Sequence, residues 1–169
     1  KDSVFFARCG YNVSAFDISD AGIEKTKRLA EKANVFVDVF KVNIWDFRLE
    51  RKYDILFSSG VLHYIKPEIK EEIFANYKSF TEIGGINALH CFVDKPFISE
   101  VPGKESHSQH WKSGQLFMLY HDWYIIKCSE YVFNCNSAGI PHKHAANRMY
   151  ARKMMQGLSA ENKISIKQT

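Results

Sequence analysis

The chain has 169 residues, of which 46% are hydrophobic and 14% aromatic. This composition suits the core of one α/β domain and argues against a disordered chain. The 23 Lys and Arg residues are interspersed with 19 Asp and Glu residues, so the net charge of +4 forms no stripe that would bind nucleic acid. No apolar run reaches the roughly 20 residues that a membrane span requires. Since the four cysteines show no CxxC spacing, we expect reduced thiols in a cytoplasmic protein.

The first half of the chain predicts helices alternating with strands. Gly10 fits the end of a helix over 1–9, and Ser19 can cap the helix that follows a strand ending at Asp17. The predicted elements after residue 10 are a strand to 17, a helix over 19–33, strands over 35–42 and 53–60, a short turn over 61–65 and a helix over 67–80 that begins at Pro67. This alternation predicts a Rossmann-like, mostly parallel sheet with helices on both faces.

The second half of the chain has a different pattern. Gly84-Gly85 predicts a turn before a strand, and a loop with two prolines follows. The predicted elements are a strand over 86–93, a loop over 94–111, a helix over 113–120, strands over 123–133 and 142–153 around a turn at 134–141, and a polar tail. The last two strands predict an antiparallel hairpin. We expect one domain over residues 1–154 and a tail over 155–169.

Polar or small residues stand at the carboxyl ends of three predicted strands, where open parallel sheets bind ligands. Asp17 is placed to accept hydrogen bonds from a ribose diol. Asn43 is placed to accept from an adenine amine while the Ile44 N–H donates to a ring nitrogen, and Ile18 can cover the base. Ser59 and Gly60 would let a ligand approach the backbone. The alternative for each position is a local turn or helix cap.

A longer set of motifs resembles the class I S-adenosylmethionine-dependent methyltransferases. The acidic strand end at Asp17 is followed by Tyr53-Asp54-Ile55-Leu56-Phe57-Ser58-Ser59-Gly60-Val61-Leu62-His63-Tyr64 and by the Gly84-Gly85 turn. Three later segments are similar to the tellurite-resistance methyltransferase group: Trp111-Lys112-Ser113-Gly114-Gln115-Leu116, Tyr120-His121-Asp122-Trp123 and Met149-Tyr150-Ala151-Arg152-Lys153. The resemblance implies S-adenosyl-L-methionine as cofactor, a small-molecule methyl acceptor, and a seven-stranded sheet whose last strand is antiparallel.

The resemblance also implies residue roles in cofactor binding. It assigns the ribose to Asp17, the adenine to Asn43 and Ile44, and the methionine part to Ser59 and its neighbours. Many relatives carry Asp where this chain has Asn43, and losing that charge would weaken binding. The family's first strand and glycine-rich loop do not occur in this sequence, and we expect an upstream segment to supply them.

Candidate residues for the acceptor pocket are polar or aromatic: His63, Tyr64, Trp111, His142 and His144. An amine or hydroxyl acceptor needs a proton acceptor nearby, whereas a thiolate or oxyanion does not. His142 and His144 share a face if the strand is regular, although they would also suit an exposed hairpin. Phe133 and Asn134 stand about where the tellurite-resistance group carries a His-Arg pair, so the sequence leaves the acceptor open, as it does the oligomeric state.

Three other interpretations use the same residues. A metal-binding module would use His142 and His144 with Cys135 or His121, but the spacing matches no strong zinc pattern and no metal is predicted. A nicotinamide-dependent oxidoreductase would also place an acid at Asp17, but the polar strand end at Asn43 and the terminal hairpin argue against it. The third interpretation is a truncated, non-catalytic nucleotide-binding relative.

Overall fold

The computed structural model of the protein describes residues 1–98, 111–136 and 139–155. The predicted tail beyond Met155, the central part of the 94–111 loop and two residues of the 134–141 turn lie outside this range. The chain divides into two compact units, one over residues 1–47 and one from Arg48 onward. Within the described residues, no helix is both long and apolar enough to cross a membrane.

The first unit contains two helices and a two-stranded parallel sheet. Its elements are α1 (Asp2–Arg8), β1 (Ser14–Asp17), α2 (Asp20–Lys32) and β2 (Asp38–Lys41). Ser14 lies opposite Asp38, and Asp17 lies opposite Lys41. The predicted helix ends are confirmed, since Gly10 has a φ of +89° just after α1 and Ser19 Oγ accepts from the Gly22 N–H.

Apolar side chains explain why these short elements pack together. Ile23 and Ala30, about two turns apart on α2, are buried. The rings of Phe16, Phe40 and Phe47 form a cluster in which Phe16 and Phe47 have centroids 4.3 Å apart. Strand β2 is shorter than predicted, because only residues 38–41 pair with β1; Phe36, before the strand, is 82% exposed.

The second unit contains a four-stranded mixed sheet. Its elements are β3 (Tyr53–Ser59), a 3₁₀ turn (Leu62–Tyr64), α3 (Pro67–Ser79), β4 (Thr81–Val93), α4 (Gln115–Met118), β5 (Tyr124–Cys135) and β6 (His142–Arg152). The spatial order is β3-β4-β6-β5. Strands β3 and β4 are parallel, and β6 runs antiparallel to β4 and β5. The predicted terminal hairpin and the antiparallel last strand are therefore confirmed.

The predicted turn at Gly84-Gly85 is wrong, because both glycines lie inside β4. The register shifts across this point, from Tyr53 opposite Thr81 to Ile55 opposite Ile86, as in a β-bulge. Gly84 has a φ of +84° and donates its N–H to the Lys153 carbonyl over 2.8 Å. A Cβ on Gly85 would lie 2.9 Å from the Asp54 carbonyl oxygen. The glycines thus allow the bulge and the close approach of β3.

The two faces of the four-stranded sheet differ in composition. One face carries buried apolar residues of β4 and β6: Leu89, Cys91, Val93, Ala145 and Met149. The buried residues of the neighbouring helix α3 are Ile73, Phe74 and Tyr77. The opposite face, called here the aromatic face, carries His90, Phe92, Tyr131, Phe133, His142, His144 and Arg148, which the strand registers place on one side. The apolar face forms the core of the second unit, and the aromatic face carries three histidines and an arginine among its aromatic rings.

Candidate functional site

Asp17 lies at the carboxyl end of β1, and its carboxylate is held over the start of α2. Oδ1 accepts the Ser19 N–H at 2.9 Å. Oδ2 lies so close to Gly22 that a Cβ there would be 2.3 Å away. The side chain remains exposed. Asp17 therefore makes the local turn contact that the alternative interpretation predicts, and it also presents a positioned carboxylate to a ligand.

Asn43 follows β2 and organises a tight turn. Its Oδ1 accepts the Trp45 N–H at 3.0 Å, while its carbonyl accepts the N–H groups of Asp46 and Phe47. An amide oxygen has two lone pairs, so one acceptor position of Oδ1 remains for a ligand. The side chain of Ile44 is buried. Among the described residues, the Ile44 N–H donates no backbone hydrogen bond.

Ile18 continues the same segment directly after Asp17. Its side chain is 60% exposed. An exposed aliphatic side chain can cover one face of a planar base. Its position agrees with the predicted role and does not test it.

The end of β3 offers a polar side chain and an unusual backbone conformation. Ser59 is exposed and lies opposite His90 of β4. Gly60 has a φ of +72°, and no atom lies within 4 Å of the position that a Cβ would take. Glycine is thus required at this position by the backbone conformation and not by crowding.

His63 and Tyr64 lie in the 3₁₀ turn after β3. His63 is only 6% exposed, and its ring centroid lies 4.2 Å from that of Tyr64 and 4.9 Å from that of Phe92. Phe92 lies on the aromatic face of β4. The turn therefore places the His63 imidazole against the sheet and not in solvent.

His142 and His144 lie on the aromatic face of β6. The ring of His144 is stacked on Phe92, with centroids 4.6 Å apart and 13° between the planes. The Nε2 atoms of the two histidines are 2.9 Å apart. Phe92 thus contacts both His63 and His144, so four of the five sequence-predicted acceptor residues lie in one continuous group.

Sequence reasoning missed Phe92, although the alternation of polar and apolar residues along β4 signals a strand with two different faces. It also missed a cluster of His90, Tyr131 and Arg148. Arg148 donates to the Tyr131 hydroxyl over 3.0 Å and covers its ring. The pKa of His90 is lowered, mainly by burial and additionally by the Arg148 charge. His90 therefore favours its neutral form more than an exposed histidine does.

Trp111 does not border this group, because its side chain is fully buried on the other side of the sheet. Its ring packs edge to face against Phe74 of α3, and its Nε1 donates to the Leu62 carbonyl. Lys70 lies over the ring, 4.1 Å from the centroid. Trp111 is therefore a core residue of the second unit.

The residues proposed for a metal module are brought together only in part. One ligand atom each from Cys135, His142 and His144 lie within 4.8 Å of one another. His121 is not part of this group; its Nδ1 lies 2.8 Å from the Met118 carbonyl oxygen, just before β5. The hairpin geometry brings Cys135 to the two histidines because it lies opposite His142.

Comparison with protein families gives a match over most of the chain. The family model described as "Tellurite resistance protein TehB" matches residues 1–149. The chain is 24% identical over 130 residues to the "Probable S-adenosyl-L-methionine-dependent methyltransferase TehB" of Haemophilus influenzae, which covers 77% of this chain and 44% of the relative. The chain thus spans less than half the length of that curated relative.

Two solved structures share the fold. The crystal structure of TehB from Haemophilus influenzae aligns with a TM-score of 0.79 at 22% identity, over 90% of this chain and 53% of that chain. The 1,6-didemethyltoxoflavin-N1-methyltransferase of Burkholderia thailandensis, solved with 1,6-didemethyltoxoflavin and S-adenosylhomocysteine, aligns with a TM-score of 0.66 at 16% identity, over 92% of this chain and 67% of that chain.

Proposed function

Because the chain belongs to the TehB family of tellurite resistance proteins, we propose that it is part of a class I S-adenosylmethionine-dependent methyltransferase acting on a small-molecule acceptor. The observation that carries this proposal is the carboxylate of Asp17, positioned at the end of a parallel strand by Ser19 and Gly22. We assign residues 1–154 to the methyltransferase domain and residues 155–169 to a tail outside it.

The first unit would bind the nucleoside part of the cofactor. Asp17 accepts hydrogen bonds from the two ribose hydroxyls, since its carboxylate is exposed and oriented. Ile18 covers the adenine ring, Asn43 Oδ1 accepts from the exocyclic amine, and the Ile44 N–H donates to a ring nitrogen. Using a neutral amide at Asn43 gives a weaker contact than a carboxylate would give.

The second unit would contact the methionine part and the acceptor. Ser59 and Gly60, at the end of β3, allow the ligand to approach the backbone. S-adenosyl-L-methionine supplies an activated methyl group when bound. His63, Tyr64, His142 and His144 then border the acceptor around Phe92, and a neutral imidazole among them can take the proton of an amine or hydroxyl acceptor. Alignment of the acceptor by this rigid aromatic group would account for much of the catalysis.

The cofactor assignment is tested by calorimetric titration of S-adenosylhomocysteine into the protein expressed from its complete open reading frame. We expect micromolar binding that is lost in Asp17→Ala. Asp20→Ala is the matched control, because Asp20 is an exposed neighbouring carboxylate that pairs with Lys41 instead of facing the ligand. No binding by wild type would contradict the proposal and favour a non-catalytic relative. Equal binding by wild type and Asp17→Ala would contradict the role of Asp17.

The acceptor assignment is tested by transfer of labelled methyl groups from S-adenosylmethionine to a panel of amine, hydroxyl, thiol and oxyanion compounds. We expect one class to be labelled and the rate to fall at least about tenfold in His63→Asn, as loss of a proton acceptor or of acceptor alignment predicts. Unchanged transfer in His63→Asn and His142→Asn would show that the acceptor binds elsewhere.

A further inference from the structure

The turn end of the β5–β6 hairpin brings three potential metal ligands to one point. Cys135 lies opposite His142 on the neighbouring strand, and His144 follows two residues along the same face. The ligand atoms of the three side chains lie within 4.8 Å of one another, and all three side chains are half-buried. A thiol and two imidazoles are a donor set that borderline-soft transition metals prefer.

The Nε2 atoms of His142 and His144 face each other. The two atoms are 2.9 Å apart, so one of them donates an N–H to the other, and a cation that displaces this proton would meet two nitrogen lone pairs. The Nδ1 of His142 lies 2.7 Å from the Ile140 carbonyl oxygen. A carbonyl can only accept, so this contact places a proton on Nδ1 and leaves the Nε2 lone pair of His142 directed at His144. Metal-binding histidines are commonly oriented by such a carbonyl.

The His144 ring is fixed independently by packing. It is stacked on Phe92 and lies 5.5 Å from Phe133, measured between ring centroids. These neighbours restrict rotation of the ring and hold Nε2 toward His142. The ligand atoms are therefore positioned by the hairpin register, by a backbone carbonyl and by two aromatic rings before any cation binds.

We propose that Cys135, His142 and His144 form a three-ligand site for Zn²⁺ or a cation of the same softness, with a fourth coordination position open. Zn–N bonds of about 2.0 Å and a Zn–S bond of about 2.3 Å place ligand atoms of a tetrahedral site about 3–4 Å apart. The observed group needs only small side-chain adjustments to reach that geometry. Binding deprotonates the Cys135 thiol and releases the proton to solvent. The site shares His142 and His144 with the proposed acceptor pocket, but cation binding goes beyond methyl transfer and does not require it.

Cobalt substitution tests the site, because Co²⁺ occupies zinc sites and reports its ligands by absorption. After treatment with EDTA, the protein is titrated with Co²⁺. We expect one equivalent to give d–d bands together with a thiolate-to-cobalt charge-transfer band that Zn²⁺ abolishes. Cys135→Ser should lose the charge-transfer band, and Cys9→Ser, which changes an exposed cysteine outside the group, should keep it. An unchanged spectrum in Cys135→Ser, or no saturable binding, would overturn the proposal.

The histidine ligands are tested with a substitution that preserves packing. His144→Phe keeps an aromatic ring against Phe92 and Phe133 but removes the nitrogen, so we expect it to fold like wild type and to bind Co²⁺ at least about a hundredfold more weakly. Unweakened Co²⁺ binding in His144→Phe would overturn the ligand assignment. Titrating S-adenosylhomocysteine into the same variants separates the two proposals, since cofactor binding without Co²⁺ binding would overturn only the metal site.

Discussion

The side-chain amide of Asn87 donates a hydrogen bond to the Tyr120 hydroxyl over 2.8 Å, and neither residue is exposed to solvent. Asn87 lies on the apolar face of β4, and its Oδ1 lies 2.9 Å from Thr81 Oγ1. The contact thus gives each of these two polar groups a partner within a largely apolar core. Burial raises the pKa of Tyr120, so its hydroxyl stays protonated throughout the pH range of ordinary experiments.

Removing this hydroxyl should destabilise the protein. In Tyr120→Phe the aromatic ring remains, but the buried side-chain amide of Asn87 loses its hydrogen-bond acceptor. We expect the free energy of unfolding to fall by about 1–3 kcal/mol, the typical cost of an unsatisfied buried group. Urea unfolding measures the loss. Tyr124→Phe, at an exposed position, is the matched control, and an equal effect of both substitutions would contradict this explanation.

Gly22→Ala should weaken cofactor binding without lowering the free energy of unfolding. The new Cβ would lie 2.3 Å from Asp17 Oδ2, so the carboxylate must move. Replacing a helical glycine by alanine itself favours the helix by about 1 kcal/mol. We expect S-adenosylhomocysteine to bind at least about tenfold more weakly while the free energy of unfolding is maintained or rises. Ala21→Gly should show the opposite pattern, with lower stability and unchanged affinity. Unchanged affinity in Gly22→Ala would argue against the role of Asp17.

Gly60→Ala should cost stability through the backbone alone. Gly60 has a φ of +72°, and its Cβ position is open, so no clash adds to the strain. A left-handed conformation costs an ordinary residue about 1–2 kcal/mol, and asparagine tolerates it better. We therefore expect Gly60→Asn to be less destabilised than Gly60→Ala in urea unfolding. The reverse order would show that the local conformation is not what requires glycine.

The lowered pKa of His90 predicts a stability loss at acidic pH. Below the ordinary pKa of 6.5, an exposed histidine in the unfolded chain binds a proton, whereas burial and the nearby Arg148 charge oppose protonation of folded His90. The unfolded state then binds more protons, so stability is fully present above this value and falls as the pH decreases toward the folded-state pKa.

His90→Gln should remove this component of the pH dependence. The free energy of unfolding is measured with urea above and below pH 6.5 for wild type and variant. The difference between the two proteins is compared, because the other histidines contribute equally to both. We expect a smaller loss of stability on acidification in His90→Gln. Identical pH profiles would show that His90 titrates alike in the folded and unfolded states.

Local signals in the sequence determined much of the fold. Ser19 and Pro67 mark helix starts, Gly10 marks a helix end, and alternating apolar residues mark strands, because each signal acts through contacts within a few residues. The strand-end positions of Asp17, Asn43 and Ser59 follow from the same local patterns. Their assignment as ligand contacts came from the known behaviour of parallel sheets and stays a prediction.

Contacts between distant residues were decided only by the tertiary structure. Gly84-Gly85 forms a bulge and not a turn because Lys153, far along the chain, pairs with both glycines. Phe92 joins His63 to His144, and the β5–β6 register places Cys135 opposite His142. Composition and spacing do not specify such contacts, because they depend on which strand faces which neighbour and in what register.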